Sequence, residues 1–227
     1  MKIAGCVALV TGTNRGIGRQ IVEELCARGA SRVYAAMRDL AGAHALPPAA
    51  EPLRLDITVA DTVARVASEH PDVTLLVNNA GVGQFASVEE TDDQTWDDVI
   101  GTNLTAVFRL TRAAIPHLAR RGGQIVMISS LAGQNPIAGM ATYCASKAAL
   151  DHFTACLMLE VRPKGIRVTT IAPGSVDTSF GAMPRSDDSS WKLSSEDVAR
   201  TLVDVVGLRD GAHTSRVEMR PARPQKR

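Results

Sequence analysis

Two side chains four positions apart, Tyr143 and Lys147, form the pair in this chain best suited to moving a proton. On a helix that spacing puts both on one face about a turn apart, where they can meet. A free phenol titrates near 10, too high for ready exchange at neutral pH, and an adjacent ammonium favours the phenolate. Lowering it by about three units needs roughly 4 kcal/mol, the order of energy a lysine within about 4 Å supplies in a partly dry site. The pair therefore predicts a general acid/base: Tyr143 gives a proton to an oxygen that is becoming an alkoxide and takes it back in reverse. A second chemical feature is Thr11-Gly12-Thr13-Asn14-Arg15-Gly16-Ile17-Gly18. Its glycines let backbone approach a ligand closely, and a helix that begins there offers unpaired N–H groups and a positive dipole end to a phosphate.

Both features need a frame. Short apolar runs at Cys6–Val10, Arg32–Ala36, Leu53–Leu55, Thr74–Val77, Gln124–Ile128, Arg167–Ile171 and Arg216–Met219 read as strands. Helical periods fill the intervals at Gly16–Arg28, Val59–Glu69, Thr95–Arg120 and Ala141–Arg162, and a last helix starts at Ser194 or Ser195. Strands alternating with helices predict an α/β fold, a doubly wound parallel sheet of Rossmann type in a single domain over 1–227. In such sheets ligands bind at the carboxyl edge of the strands, and Ser130 stands there, just past Gln124–Ile128. The stretch 175–193 lacks periodicity and reads as a substrate loop, while 220–227 is a basic tail expected to be a simple terminus.

A chain of 227 residues with 22% charged residues and a net charge of +1 carries no broad field that would draw it to nucleic acid or an anionic membrane. It has no apolar run near the roughly 18 residues of a membrane span and no signal-peptide pattern at the amino end. Cys6, Cys26, Cys144 and Cys156 show no paired spacing, and three of them fall in apolar periodic runs. The five histidines are likewise scattered, so no metal site is expected. A cytoplasmic location and a small-molecule partner follow as expectations.

With the glycine turn, Asn78-Asn79-Ala80-Gly81 after the fourth strand, and Tyr143-Cys144-Ala145-Ser146-Lys147 opening a helix, the chain resembles the short-chain dehydrogenase/reductase family over residues 5 to about 178. The resemblance implies an oxidoreductase that passes a hydride between a nicotinamide and a carbonyl or alcohol carbon. It assigns Asn103, Ser130, Tyr143 and Lys147 to catalysis. Ser130 steadies the substrate oxygen as charge accumulates, and Asn103 distorts its helix and holds a water near the lysine. Asp56 touches the adenine amino group, and Asn79, Ala80 and Gly81 line the ribose side. Pro173, Gly174, Val176 and Thr178 form the turn that receives the carboxamide. A catalytically idle nucleotide-binding protein on the same fold is the alternative, and loss of the tyrosine or lysine would be its signature.

NAD-preferring members of this family end the second strand with an acid, and here Met37 stands in its place, followed by Arg38. Arg38 and Arg15 present two guanidiniums suited to a 2′-phosphate, so NADP(H) is the preferred cofactor. The adjacent Asp39 leaves NAD(H) open. Leu131, Pro136, Ile137, Met140, Phe180, Met183 and Trp191 suggest an apolar ketone or aldehyde, and the resemblance implies a homo-oligomer, dimer or tetramer.

Overall fold

The computed structural model describes residues 2–178, 180 and 189–223. Seven parallel strands form one sheet: β1 (Val7–Thr11), β2 (Arg32–Met37), β3 (Ala50–Arg54), β4 (Leu75–Asn78), β5 (Gln124–Ile128), β6 (Arg167–Pro173) and β7 (Arg216–Met219). Their order is β3-β2-β1-β4-β5-β6-β7. The order reverses direction between β1 and β4, so the predicted doubly wound sheet is the observed one, with its topological switch point there. The central strands are buried on both faces, as β4 (Leu-Leu-Val-Asn) and β5 (Gln-Ile-Val-Met-Ile) show throughout. This is why they read as continuous apolar runs rather than alternating ones.

Helices α1 (Gly16–Ala27) and α6 (Ser195–Val206) cover one face, where Ile21, Leu25, Val198 and Leu202 pack on Ala8, Val10 and Val33. On the other face α2 (Ala60–Glu69), α4 (Val107–Ala119) and α5 (Ala141–Val161) bring Val66, Leu110, Leu118, Leu150 and Leu157 against Leu9, Leu76 and Ile125. Helix α6 opens on a capping box: Ser194 Oγ accepts from Asp197 N at 3.0 Å and the Asp197 carboxylate accepts from Ser194 N at 2.9 Å.

Three stretches differ from expectation. The helix predicted over Thr95–Arg120 starts two residues earlier, where Asp92 caps α3 (Asp93–Ile100) by accepting from Thr95 N, and it is broken by a π-helical turn over Gly101–Ala106 before α4 resumes. Strand β3 begins at Ala50 rather than Leu53, because an edge strand with a mostly exposed Ala-Glu-Pro start lacks the apolar pattern that marks its neighbours. Leu40–Ala45 forms a 3₁₀ turn, a strap over the carboxyl end of β2. Of the cysteines, Cys6 alone is buried, and Cys156 is exposed. Among the described residues no helix is long and apolar enough to cross a membrane.

Candidate active site

The predicted proton-transfer pair comes from the first turns of α5, which places Tyr143 and Lys147 beside the carboxyl end of β5. Both are buried, at 8% and 5% exposure. Lys147 Nζ donates to the carbonyl of Ile128, the last residue of β5, at 3.0 Å, and lies 5.8 Å from the centre of the Tyr143 ring. Ser130, two residues past β5, hydrogen-bonds the phenol, while its hydroxyl also accepts from Ala132 N at 3.1 Å. That second bond caps the short 3₁₀ turn Leu131–Gly133 and fixes the serine rotamer. Three of the four predicted catalytic residues thus meet at one strand end.

Their electrostatics correct one expectation. The phenol was expected to be acidified by the lysine; in the structure its pKa is pushed up to about 12, because burial disfavours the phenolate more strongly than the Ser130 hydrogen bond favours it. The Lys147 ammonium, for its part, is engaged with the Ile128 carbonyl. Lys147 itself is pulled down to about 8 by burial, with Asp151 one turn further along α5 partly opposing the shift.

Asn103 lies inside the π turn, buried at 1%, and the turn rotates its amide out of the helical ladder. Its Nδ2 donates to Val82 O at 2.9 Å and to Ser146 Oγ at 3.0 Å, and its Oδ1 accepts from Val82 N at 2.9 Å. Ser146 Oγ donates in turn to Tyr143 O at 2.7 Å. Asparagine, serine and tyrosine backbone therefore form one buried chain. Gly81 keeps the space beside them open: a Cβ there would stand 3.2 Å from Asn103 Oδ1 and 3.8 Å from Lys147 Nζ. Ser146 was not singled out from the sequence, since a small polar residue mid-helix has the look of filler; its place between the tyrosine and lysine predicted to be catalytic was the available signal.

The glycine turn links β1 to α1. Gly16 has φ +58°, which favours glycine, and at Gly18 a Cβ would fall 2.2 Å from Gly12 O and 2.4 Å from Asn79 Nδ2, so this helix turn can press against the strand end only without a side chain. Helix α1 has no side-chain N-cap bond and no acid in its first turn, leaving the amides around Gly16, Ile17 and Gly18 to a ligand. The exposed guanidiniums of Arg15 and Arg38 form no ion pair among the described residues. Asp56 lies near Arg38, and its carboxyl is held below the usual range, first by the Thr58 hydroxyl, which donates to it at 2.7 Å, and to a lesser extent by Arg38. Unclaimed amides, two free guanidiniums and one carboxylate fit a dinucleotide: anion at the helix end, phosphate on the arginines, base amino group at Asp56.

Two residues expected at the cofactor also fasten the backbone. Asn79, expected on the ribose side, donates through Nδ2 to Thr11 O at 2.8 Å and Gly12 O at 3.2 Å, tying the end of β4 to the turn. Thr11, which the sequence reading passed over, accepts from Asn79 N and Ala80 N, each at 3.0 Å. Asn14 likewise donates to Asp39 O at 2.9 Å. Beyond β6, Pro173 ends the strand, Gly174 N donates to Met219 O at 2.8 Å, and Val176 pairs with Leu193. Thr178 faces the glycine turn, with its Cγ2 3.4 Å from where a Gly16 Cβ would be. Phe180 packs on the Tyr143 ring, centroids 5.5 Å apart. Met183 and the rest of 181–188 lie outside the described residues, as do 224–227 of the tail. Among the described residues no cluster of three or more histidine, cysteine or acidic side chains is placed to hold a metal.

Comparison with known proteins agrees with this geometry. Residues 6–189 match the family model for short chain dehydrogenases. The chain is 38% identical over 189 residues to the 3-oxoacyl-[acyl-carrier-protein] reductase FabG of Escherichia coli, covering 79% of this chain and 77% of that one. It is 33% identical over 222 residues to the 2,5-dichloro-2,5-cyclohexadiene-1,4-diol dehydrogenase LinX of Sphingobium indicum, covering 93% and 88%. A short chain dehydrogenase from Burkholderia cenocepacia, solved in complex with NADP, superposes with a TM-score of 0.85 at 33% identity over 96% of this chain and 90% of its own. The chain is thus an oxidoreductase and belongs to the short-chain dehydrogenase family.

Proposed function

We propose that the protein is an NADPH-dependent carbonyl reductase in which Asn103, Ser130, Tyr143 and Lys147 form the catalytic set. The observation that carries this reading is the placement of Tyr143: buried, hydrogen-bonded to Ser130, and on one face of α5 with Lys147 beside the carboxyl end of β5. A phenol that shares this strand end with a serine hydroxyl and an ammonium can deliver its proton to a substrate oxygen held there, which is what reduction of a carbonyl requires. The nicotinamide supplies the hydride when bound. Ser130 orients the substrate oxygen and stabilises charge as it develops there; Tyr143 delivers its proton to that oxygen. Lys147, held by Ile128 O, places a cation behind the phenol, and the Asn103–Ser146 chain fixes the first turn of α5 that carries both. Gly12, Gly16, Ile17 and Gly18 take the pyrophosphate, and Pro173, Gly174, Val176 and Thr178 take the carboxamide end.

NADP(H) over NAD(H) is supported by Arg15 and Arg38 and by the fate of Asp39. Its carboxylate accepts from Ala41 N at 3.0 Å within the Leu40–Ala45 strap, so the neighbouring acid is already engaged by its own turn. The relative solved with NADP supports the same choice.

For substrate, the FabG relatives point to a 3-oxoacyl thioester, and Phe180 against the Tyr143 ring, with the apolar Leu131, Ile137 and Met140 in the segment between β5 and α5, suits an acyl chain better than a charged acid. The family reading also implies a homo-oligomer, for which the exposed Trp96, Phe108 and Leu159 on α3, α4 and α5 offer apolar surface; sedimentation of the native chain as a monomer would end that part.

The test of function is oxidation of NADPH, followed by loss of its absorbance, with acetoacetyl-coenzyme A and ethyl acetoacetate as probes. Tyr143→Phe is expected to lower kcat by at least about 10²-fold while leaving nucleotide binding in place. Equal turnover by the two proteins would rule out this assignment.

A further inference from the structure

Two arginines on different elements must converge if they are to grip one phosphate. Arg15 precedes α1, whereas Arg38 follows β2 and begins the strap that continues through the 3₁₀ turn Leu40–Ala45. Exposed arginines are costly to order, since each side chain has about 2 kcal/mol of rotamer entropy to lose, so their backbones need fixing relative to one another.

The structure holds the two segments together through side chains that the catalytic reading leaves without a role. Arg19, on the first turn of α1, donates through Nε to Thr13 O at 3.1 Å and through Nη2 to Gly42 O at 2.8 Å, with a longer bond to Asn14 O at 3.4 Å. Its planar fork therefore bridges the glycine turn and the strap, a geometry lysine could not reproduce. Asn14 adds the bond from Nδ2 to Asp39 O at 2.9 Å, directly beside Arg38. The strap lies within contact of the turn at Gly42, where even a Cβ would make ordinary contact with Arg19 Nη2 at 3.6 Å and Asn14 O at 3.8 Å.

We infer that Arg19, assisted by Asn14, is a positioning residue for cofactor selectivity: it latches the strap onto the phosphate turn so that Arg15 and Arg38 face one 2′-phosphate. The latch rests on the reading of this protein as NADP(H)-dependent. It acts through backbone carbonyls, so its loss removes pre-organisation for the 2′-phosphate and leaves the helix amides that meet the pyrophosphate as they were.

Calorimetric binding of adenosine 2′,5′-bisphosphate and adenosine 5′-monophosphate tests this without turnover, since the two ligands differ in the 2′-phosphate alone. Arg19→Met is expected to weaken the bisphosphate about tenfold and the monophosphate by less than about twofold. In an Arg38→Ala background the same change is expected to cost no further selectivity, because Arg19 acts through Arg38. Should Arg19→Met not fold, Asn14→Ala removes the second fastening and is expected to lower selectivity about threefold. Equal weakening of both ligands, or a loss that adds fully to that of Arg38→Ala, overturns the latch while leaving the NADP(H) reading intact. Native protein that binds the two ligands equally would overturn the NADP(H) reading, and the latch with it.

Discussion

The proton on Tyr143 is held by burial, and the charge on Lys147 is resisted by it. These opposite effects have a measurable signature in stability. Free lysine titrates at 10.5, but in the fold Lys147 is lowered to about 8, so below that value the folded protein carries a buried ammonium at a cost on the order of 3 kcal/mol. The unfolded chain binds more protons than the folded one between about 8 and 10.5, and stability from this group therefore rises with pH across that window. Tyr143 works the other way: raised from 10.0 to about 12, it makes stability fall as pH climbs through that later interval. Lys147→Met is expected to flatten the earlier rise, so that its urea midpoint relative to native protein is most favourable near pH 7 and loses ground by about pH 9.5. A midpoint difference that is the same at both pH values would refute the assignment of a strained lysine. At this scale Tyr143, Lys147 and Ser130 were legible because their chemistry is carried by type and spacing. The destinations of the Asn14 and Asn79 amides were not, because each bonds a carbonyl on a segment distant in sequence, and a side-chain amide looks the same whether it meets a ligand or a backbone.

Among the elements, the π turn Gly101–Ala106 does most to shape the site. A helix of regular period would leave Asn103 in the ladder; the extra residue in the turn swings its amide to Val82 and Ser146. Asn103→Ala removes three hydrogen bonds, one buried to Ser146 Oγ and two part-buried to the Val82 backbone, and leaves Ser146 Oγ with its bond to Tyr143 O alone. It is expected to destabilise by about 2–3 kcal/mol in denaturant unfolding and to lower kcat more than it raises KM. Sequence periodicity missed this turn because one inserted residue shifts the apolar stripe by less than the stripe's own width. The glycine turn was fully legible, and its tolerance is narrow: Gly18→Ala is expected to cost about 1–3 kcal/mol by overpacking against Gly12 O and to weaken nucleotide binding, read by thermal shift with and without NADPH. Loss of neither would show that the turn yields to a methyl group.

Across the whole molecule, the sheet brings together parts that are remote in the chain. Arg216, at the start of the edge strand β7, places Nη1 3.0 Å from Asp151 Oδ2 on α5, four residues past Lys147. Both partners are largely buried, with side chains 27% and 13% exposed. Arg216→Met leaves an unpaired carboxylate there and is expected to cost about 2–4 kcal/mol, while the double variant Arg216→Met/Asp151→Leu recovers most of it. A double variant as unstable as the single one would show that the pair contributes more than mutual neutralisation. The sheet order and the helix layers were readable from alternation alone, whereas a contact such as this, between residues sixty-five positions apart, has no local sequence trace.

The neck of the loop after β6 has a consequence of its own. Val176 and Leu193 pair as a bridge, Asp177 N donates to Leu193 O at 2.8 Å, and Leu193 N donates to Ser175 O at 3.0 Å. The two ends of this excursion are thus clasped to each other at the sheet rim, independently of the contacts that Thr178 and Phe180 make with the glycine turn and the Tyr143 ring. Transplantation is therefore expected to be tolerated at this point: exchanging residues 181–188 for a segment of another length should change kcat/KM across a ketone panel while thermal unfolding stays that of the native chain.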